Sequence, residues 1–93
     1  MTTQFEDALG NVASGLRRLG AREIYVFGSA AYGGMRAGSD VDLAVTGLDP
    51  GLFFRAMSRA ADILGRPVDL IDLDDDSPFV RYLKEEKELR RVG

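Results

Sequence analysis

GSAAYGGMRAGSDVDLAV, residues 28–45, combines two short patterns that say little separately. Gly28-Ser29 follows an apolar stretch; glycine lets a backbone approach a ligand closely, and the serine hydroxyl adds a donor for a phosphate oxygen. Asp40 and Asp42 are two residues apart, so on a strand both carboxylates project from one face, about 6.5–7 Å apart along the strand. Such a pair repels unless a cation lies between the two groups, and hard divalent ions prefer carboxylate oxygens. The stretch indicates a phosphate site beside a metal site, the alternative being an ordinary turn and a solvated strand face.

The composition narrows the kinds of site that the chain can hold. Its 93 residues fit one domain spanning residues 1–93. The sequence contains no histidine and no cysteine, which excludes histidine acid–base catalysis, serine triads and the usual zinc sites. Any metal must be held by oxygen ligands, which favours magnesium, manganese or calcium.

Charge and hydropathy limit the expected partners. There are 12 basic and 15 acidic residues, a net charge of -3, so we do not expect nucleic-acid binding, which needs phosphate neutralisation by Lys and Arg. No apolar run is long enough to span a bilayer, and the first ten residues, MTTQFEDALG, do not resemble a signal peptide. We expect a cytoplasmic protein with no membrane partner.

Apolar periodicity predicts an α+β fold with three helices and three strands. Two helices are expected over residues 3–19 and from Asp49-Pro50 to Gly65. A third begins at Ser77-Pro78 and carries a thin apolar stripe that ends at Leu89. Strands are expected over residues 23–27, 40–45 and 67–73, with one helical turn near residues 30–32. The first two strands would be antiparallel neighbours and the third would return after a helix, which gives a small mixed β-sheet with helices packed on one face.

The motif combination resembles that of a known enzyme superfamily. Gly-Ser, a later glycine and Ser-Asp-x-Asp-Leu are similar to the signature of the DNA polymerase beta-type nucleotidyltransferases. More narrowly, the chain resembles the minimal nucleotidyltransferase (MNT) proteins of prokaryotes, which are partners of HEPN-domain proteins. The resemblance implies a fold like the polymerase beta palm. The matching positions are Gly28, Ser29, Gly33, Arg36, Ser39, Asp40, Asp42 and Leu43.

The resemblance implies a catalytic and metal-binding set of three aspartates. In that family the aspartates matching Asp40 and Asp42 bind two divalent ions, usually Mg²⁺, with Mn²⁺ as an alternative. A third carboxylate comes from a neighbouring strand, and the matching position is Asp69, which could also accept the proton of the attacking hydroxyl. Asp72 is the competitor, but it points to the opposite face of a regular strand. The alternative for Asp69 is a solvated charge at a strand end.

The resemblance also implies a nucleotide-binding set of Gly28, Ser29, Gly33, Arg36 and Ser39. Gly28 and Ser29 would hold the beta and gamma phosphates of ATP. Arg36 would pair with a phosphate through two parallel hydrogen bonds, the alternative being an exposed loop arginine. Many family members carry basic residues where this chain has Ala30 and Tyr32, which leaves fewer positive charges for a triphosphate.

The function that the resemblance implies is transfer of AMP from ATP to a hydroxyl, with a tyrosine of a HEPN-domain toxin as acceptor and this chain as antitoxin. A domain this small leaves no second domain to hold an acceptor, so a partner chain or a homo- or hetero-oligomer is expected to supply that wall. Two alternatives stay open. One is a non-catalytic antitoxin that neutralises its partner by contact, and the other is a subunit that modifies a small aminoglycoside-like molecule.

Overall fold

Three helices and four strands make up the part of the chain that the computed structural model describes, which is residues 3–28, 40–86 and 89–93. None of the helices in these residues is long and apolar enough to cross a bilayer. In chain order the elements are α1 (Thr3–Arg18), β1 (Glu23–Phe27), β2 (Val41–Thr46), α2 (Phe53–Leu64), β3 (Val68–Asp72), α3 (Pro78–Glu85) and β4 (Arg90–Val92).

The strands form one mixed sheet in the order β3-β2-β1-β4. β1 and β2 are antiparallel, with Tyr25 opposite Ala44, and β4 is antiparallel to the other side of β1. β2 and β3 are parallel, and α2 provides the crossover connection that a parallel pair needs. The predicted α+β class, the mixed sheet and the antiparallel first pair are therefore confirmed.

The main core lies between α1, α2 and one face of the sheet. Alternate strand residues point to opposite faces, so Ile24 and Val26 of β1 lie on the same face as Leu43 of β2. All three have no exposed surface and pack against Leu9 and Leu16 of α1. The apolar residues of α1, spaced at the helical period, therefore pack against alternate residues of β1 and β2 in one apolar layer.

A smaller core lies on the opposite face of the sheet. Phe27 and Ala44 point to that face and pack with Val80 and Leu83 of α3. α1 and α2 pack on one face of the sheet, as expected, whereas α3 packs on the opposite face. The reason is that Val80 and Leu83, three residues apart on a short helix, form an apolar stripe that fits the apolar part of this second face.

Local capping explains where the helices begin and end. The Asp49 carboxylate accepts a hydrogen bond from the Gly51 amide at 2.9 Å, and a 3-10 turn over Pro50–Leu52 leads into α2. α2 ends at Gly65, which has a left-handed φ of 67°. The Ser77 hydroxyl accepts from the Val80 amide at 3.2 Å and begins α3. The predicted end at Gly65 and start at Ser77-Pro78 are confirmed, whereas α2 begins at Phe53, three residues after the predicted start at Pro50.

The C-terminal segment differs from the prediction of one long helix through Leu89. α3 ends at Glu85, and Arg90–Val92 form β4 instead. Val92 is 7% exposed and belongs to the main core. The Arg17 guanidinium donates to the Val92 carbonyl at 3.3 Å, and Arg90 pairs with Glu6 at 3.0 Å. A helix is locally compatible with these charged residues, but the contacts with distant residues make Arg90–Val92 a strand.

Candidate active site

Asp42 and Asp69 lie side by side on the second face of the sheet. The parallel register of β2 and β3 pairs them directly, and neighbouring strands are about 4.8 Å apart. Asp40 precedes β2 by one residue and lies two residues before Asp42, so the strand period places it on the same face. Asp40 and Asp69 are exposed, and Asp42 is partly buried. The three predicted carboxylates are therefore brought to one end of one face.

The electrostatics of Asp42 reflect the negative charges of the two neighbouring aspartates. Burial raises the pKa of the Asp42 carboxyl above its usual range, and the negative charges of Asp69 and Asp40 raise it further. Like charges at this separation favour protonation of one member unless a cation offsets them. A cation at this position would relieve the repulsion among the three carboxylates.

Gly28 brings the backbone against the Asp42 carboxylate. It follows Phe27, which lies opposite Asp42 in the β1–β2 register. Its φ is +70°, a conformation that glycine adopts freely and other residues rarely adopt. A Cβ atom at Gly28 would lie 2.7 Å from the Asp42 Oδ2 atom. Glycine is thus needed here both for its positive φ and for its lack of a side chain next to Asp42. The sequence alone suggests only that the backbone approaches a ligand closely at this position.

The remaining predicted nucleotide-binding residues lie outside the described residues. Ser29, Gly33, Arg36 and Ser39 belong to this group, as does the predicted helical turn near residues 30–32. Their roles stay predictions.

The neighbouring acidic residues are engaged in loop contacts. Asp72 lies two residues beyond Leu70, a side chain that packs on the main core, so it points away from Asp69. It accepts a hydrogen bond from the Asp74 amide at 2.9 Å, and the Asp74 carboxylate accepts one from the Gly47 amide at 2.6 Å. Asp76 pairs with Arg81 at 2.9 Å. These carboxylates fix the β3–α3 connection.

The donor set at the site fits a hard divalent ion. Within residues 3–28, 40–86 and 89–93, no group of three or more acidic side chains is arranged to hold a metal ion as the side chains stand. The three aspartates nevertheless offer only carboxylate oxygens, the donors that Mg²⁺ and Mn²⁺ prefer. Asp40 and Asp69 are exposed and can rotate toward a shared ion, and the raised Asp42 pKa reflects a repulsion that an ion would relieve.

An aromatic pair beside the carboxylates was missed by the sequence reasoning. The rings of Phe27 and Phe79 meet edge to face, with centroids 6.3 Å apart and planes at 61°. Phe27 is buried, whereas Phe79 is 49% exposed. The two residues are far apart in the chain, and no local pattern signals that they meet.

Comparisons with known proteins identify the family and the fold. The sequence profile of the "Polymerase beta, Nucleotidyltransferase" family matches residues 17–89. Among solved structures, one of a minimal nucleotidyltransferase is 29% identical, with a TM-score of 0.75, and the match covers 90% of this chain and 88% of that one. A toxin-antitoxin structure with AMP-PNP is 26% identical, with a TM-score of 0.71 and coverage of 95% and 72%.

A more distant neighbour extends the fold comparison. A complex of a tri-AMPylated Shewanella oneidensis HEPN toxin with its MNT antitoxin matches with 21% identity, a TM-score of 0.58 and coverage of 91% and 71%. No sequence relative is found among the curated proteins. The family match contains β1, β2 and β3 with Gly28 and all three aspartates. The chain therefore belongs to the polymerase beta nucleotidyltransferase family and is a nucleotidyltransferase.

Proposed function

We propose that this protein is a metal-dependent nucleotidyltransferase that moves AMP from ATP to a hydroxyl group, with a tyrosine of a HEPN-domain partner as acceptor. The observation that carries the proposal is the register of β2 and β3, which pairs Asp42 with Asp69 on the face that also holds Asp40. We place residues 1–93 as one catalytic domain that acts in the cytoplasm as an antitoxin.

The three aspartates divide the chemistry between them. Asp40, Asp42 and Asp69 are the residues that would hold Mg²⁺ or Mn²⁺ ions. When bound, two such ions lower the pKa of an attacking hydroxyl and neutralise charge on departing pyrophosphate. The hydroxyl oxygen forms a bond to the alpha phosphorus, and the bond from that phosphorus to the pyrophosphate oxygen breaks. Asp69 is exposed at the site and takes up the hydroxyl proton.

We assign binding of the nucleotide to the segment that follows β1. Gly28 follows β1 directly, and its lack of a side chain leaves the Asp42 carboxylate free to face the phosphates. We assign phosphate binding to Gly28 and Ser29, together with Gly33, Arg36 and Ser39. Backbone N–H donors can bind a triphosphate, but three neighbouring carboxylates repel it unless a divalent cation lies between the carboxylates and the phosphates.

The choice of partner is supported by the kinds of complex that share this fold. The toxin-antitoxin structure that is 26% identical was solved with AMP-PNP, an ATP analogue. In the Shewanella oneidensis complex, the HEPN toxin carries AMP groups and is bound to an MNT antitoxin. A protein acceptor would also cover the exposed carboxylates Asp40 and Asp69.

The test is transfer of label from ATP to a purified HEPN-domain protein encoded in the same genome, with Mg²⁺ and with a chelator. We expect the wild type to label the toxin and release pyrophosphate only when Mg²⁺ is present. Asp42→Asn and Asp69→Asn should each lose at least about 100-fold in rate, because a displaced reacting group costs that much. Asp72→Asn is the matched control, since this acidic residue of β3 points to the other face and keeps its acceptor oxygen.

Three results would count against the proposal. One is full labelling in chelator, and a second is equal labelling by Asp69→Asn and Asp72→Asn. The third is toxin neutralisation in cells by Asp42→Asn without labelling, which would favour neutralisation by contact.

A further inference from the structure

Two exposed aromatic side chains lie on α3, the helix that packs on the face of the sheet that holds the carboxylates. Phe79, in the first turn of α3, is 49% exposed and contacts the buried ring of Phe27. Tyr82 is 52% exposed and lies three residues further, on the same side of the helix. We refer to Phe79 and Tyr82, together with the Phe27 ring that Phe79 contacts, as the aromatic ledge.

The register of the sheet fixes where the aromatic ledge lies relative to the site. Phe27 is the cross-strand partner of Asp42, and both side chains project from the face that α3 covers. Phe27 is also the residue directly before Gly28. The ledge therefore borders the Asp42 carboxylate on the β1 side, where the chain leads into the phosphate-binding segment.

The strand order separates the two substrates. Because the order is β3-β2-β1, Asp69 lies on one side of Asp42, and Phe27 and Gly28 lie on the other. A hydroxyl that gives its proton to Asp69 approaches from the β3 side. A nucleotide held at Gly28 approaches from the β1 side, and its base is tied covalently to the phosphates. The group that reaches the ledge is therefore the nucleoside rather than the acceptor.

We propose that Phe79 stacks against the base of the nucleoside triphosphate, with Tyr82 at the border of the same surface. This inference rests on the proposed function, because it assigns a base-binding role within the same site. The contact with Phe27 holds the Phe79 ring in place, so little ordering is needed when a base binds. Stacking tolerates any base but grows with overlap, so a purine binds more tightly than a pyrimidine.

The test compares ATP with inorganic tripolyphosphate, which carries the phosphates without a base. Both are titrated with Mg²⁺ into wild type, Phe79→Ala, Phe79→Trp and Phe54→Ala. Phe54 is the matched control, because it is 79% exposed on α2, away from the carboxylates. We expect Phe79→Ala to raise the Kd for ATP about 5- to 150-fold, the range for loss of one base-stacking contact.

The same titrations distinguish base stacking from a role of Phe79 in phosphate binding or in folding. Tripolyphosphate should bind all variants alike, and Phe79→Trp should keep ATP binding close to that of wild type. Circular dichroism melting reports whether each variant folds, and Phe79→Trp retains an aromatic ring if loss of the ring destabilises α3.

Each remaining outcome overturns a defined part of the proposal. Equal ATP affinity in Phe79→Ala and wild type overturns base stacking, and a lower transfer rate to the partner in that variant would assign the ledge to the acceptor. Equal loss of ATP and tripolyphosphate affinity also overturns it, because the defect would then lie in the phosphate or metal site. Wild type that binds neither ligand overturns the proposed function itself.

Discussion

Replacing Gly28 by alanine should damage both the stability and the site, by two effects that can be separated. The first is the backbone, because a residue with a side chain at a φ of +70° loses about 1–2 kcal/mol relative to glycine. The second is contact, because the new Cβ atom would lie 2.7 Å from the Asp42 Oδ2 atom, closer than such atoms come in real proteins. The Asp42 carboxylate must therefore move.

The magnitude of the backbone effect can be measured at another glycine of the same chain. Gly65 has a φ of 67°, and a Cβ atom there would meet nothing within 4 Å. Gly65→Ala should therefore show the backbone cost alone, a fall in Tm of about 4–16 °C for a domain of this size. Gly28→Ala should melt at a lower temperature than Gly65→Ala. It should also lose Mg²⁺-dependent ATP binding, and transfer should slow about 100-fold for a displacement near 1 Å.

A double-mutant cycle by thermal melting and ATP titration tests this reasoning. In an Asp42→Ala background, Gly28→Ala should cost no more stability than Gly65→Ala, because the carboxylate is gone. The reasoning is refuted if Gly28→Ala and Gly65→Ala melt alike and Gly28→Ala binds ATP as wild type does. It is also refuted if removing the Asp42 carboxylate leaves the cost of Gly28→Ala unchanged.

Three further predictions concern the surroundings of the site. Because the Asp42 pKa is raised in the folded state, its ionisation opposes folding, so the stability it contributes at low pH is lost as pH rises through that pKa. In chelator, Asp42→Asn should thus have a higher Tm than wild type at pH 7, and the difference should shrink toward pH 4. Added Mg²⁺ should raise only the wild-type Tm. An Asn variant with a Tm below that of wild type at pH 7 contradicts this prediction. Ser77→Ala removes the cap of α3 and should cost about 1 kcal/mol in urea unfolding, whereas Ser77→Asp, which keeps an acceptor, should cost less. Leu43→Ala deletes a fully buried side chain of β2 and should cost about 2–5 kcal/mol in the same assay, and a cost below 1 kcal/mol would mean that the core collapses around the gap.

The sequence is sufficient to predict which face of the sheet an aspartate occupies, because the alternation of apolar and acidic residues is local. The alternation of residues 40–45 placed Asp40 and Asp42 on one face, and the same alternation in β3 separated Asp69 from Asp72. The structure has both arrangements. The charge of Asp69 affects the Asp42 pKa because the register of β2 and β3 places the two residues opposite each other. Neither inference needed knowledge of distant residues.

The features that the sequence did not predict depend on long-range contacts. β4 is a strand because β1 offers it a free side and because Val92 has a place in the main core. α3 lies on the second face because Phe27 and Ala44 are apolar there. The pairing of Phe27 with Phe79 and the approach of Gly28 to Asp42 likewise depend on how the strands pair, which no local pattern encodes.

The position of β3 at the outer side of the sheet has a consequence for solubility. A strand at the side of a sheet carries backbone groups that can pair with another molecule, and proteins commonly block this with charge. Val68, Leu70 and Ile71 would make β3 a good template for such pairing, and Asp69 and Asp72 are the charges that interrupt it. The carboxylate proposed to act in catalysis therefore also guards against aggregation. A catalytically dead variant made neutral at Asp69 gives up part of that protection, so its behaviour in cells reflects self-association as well as lost chemistry.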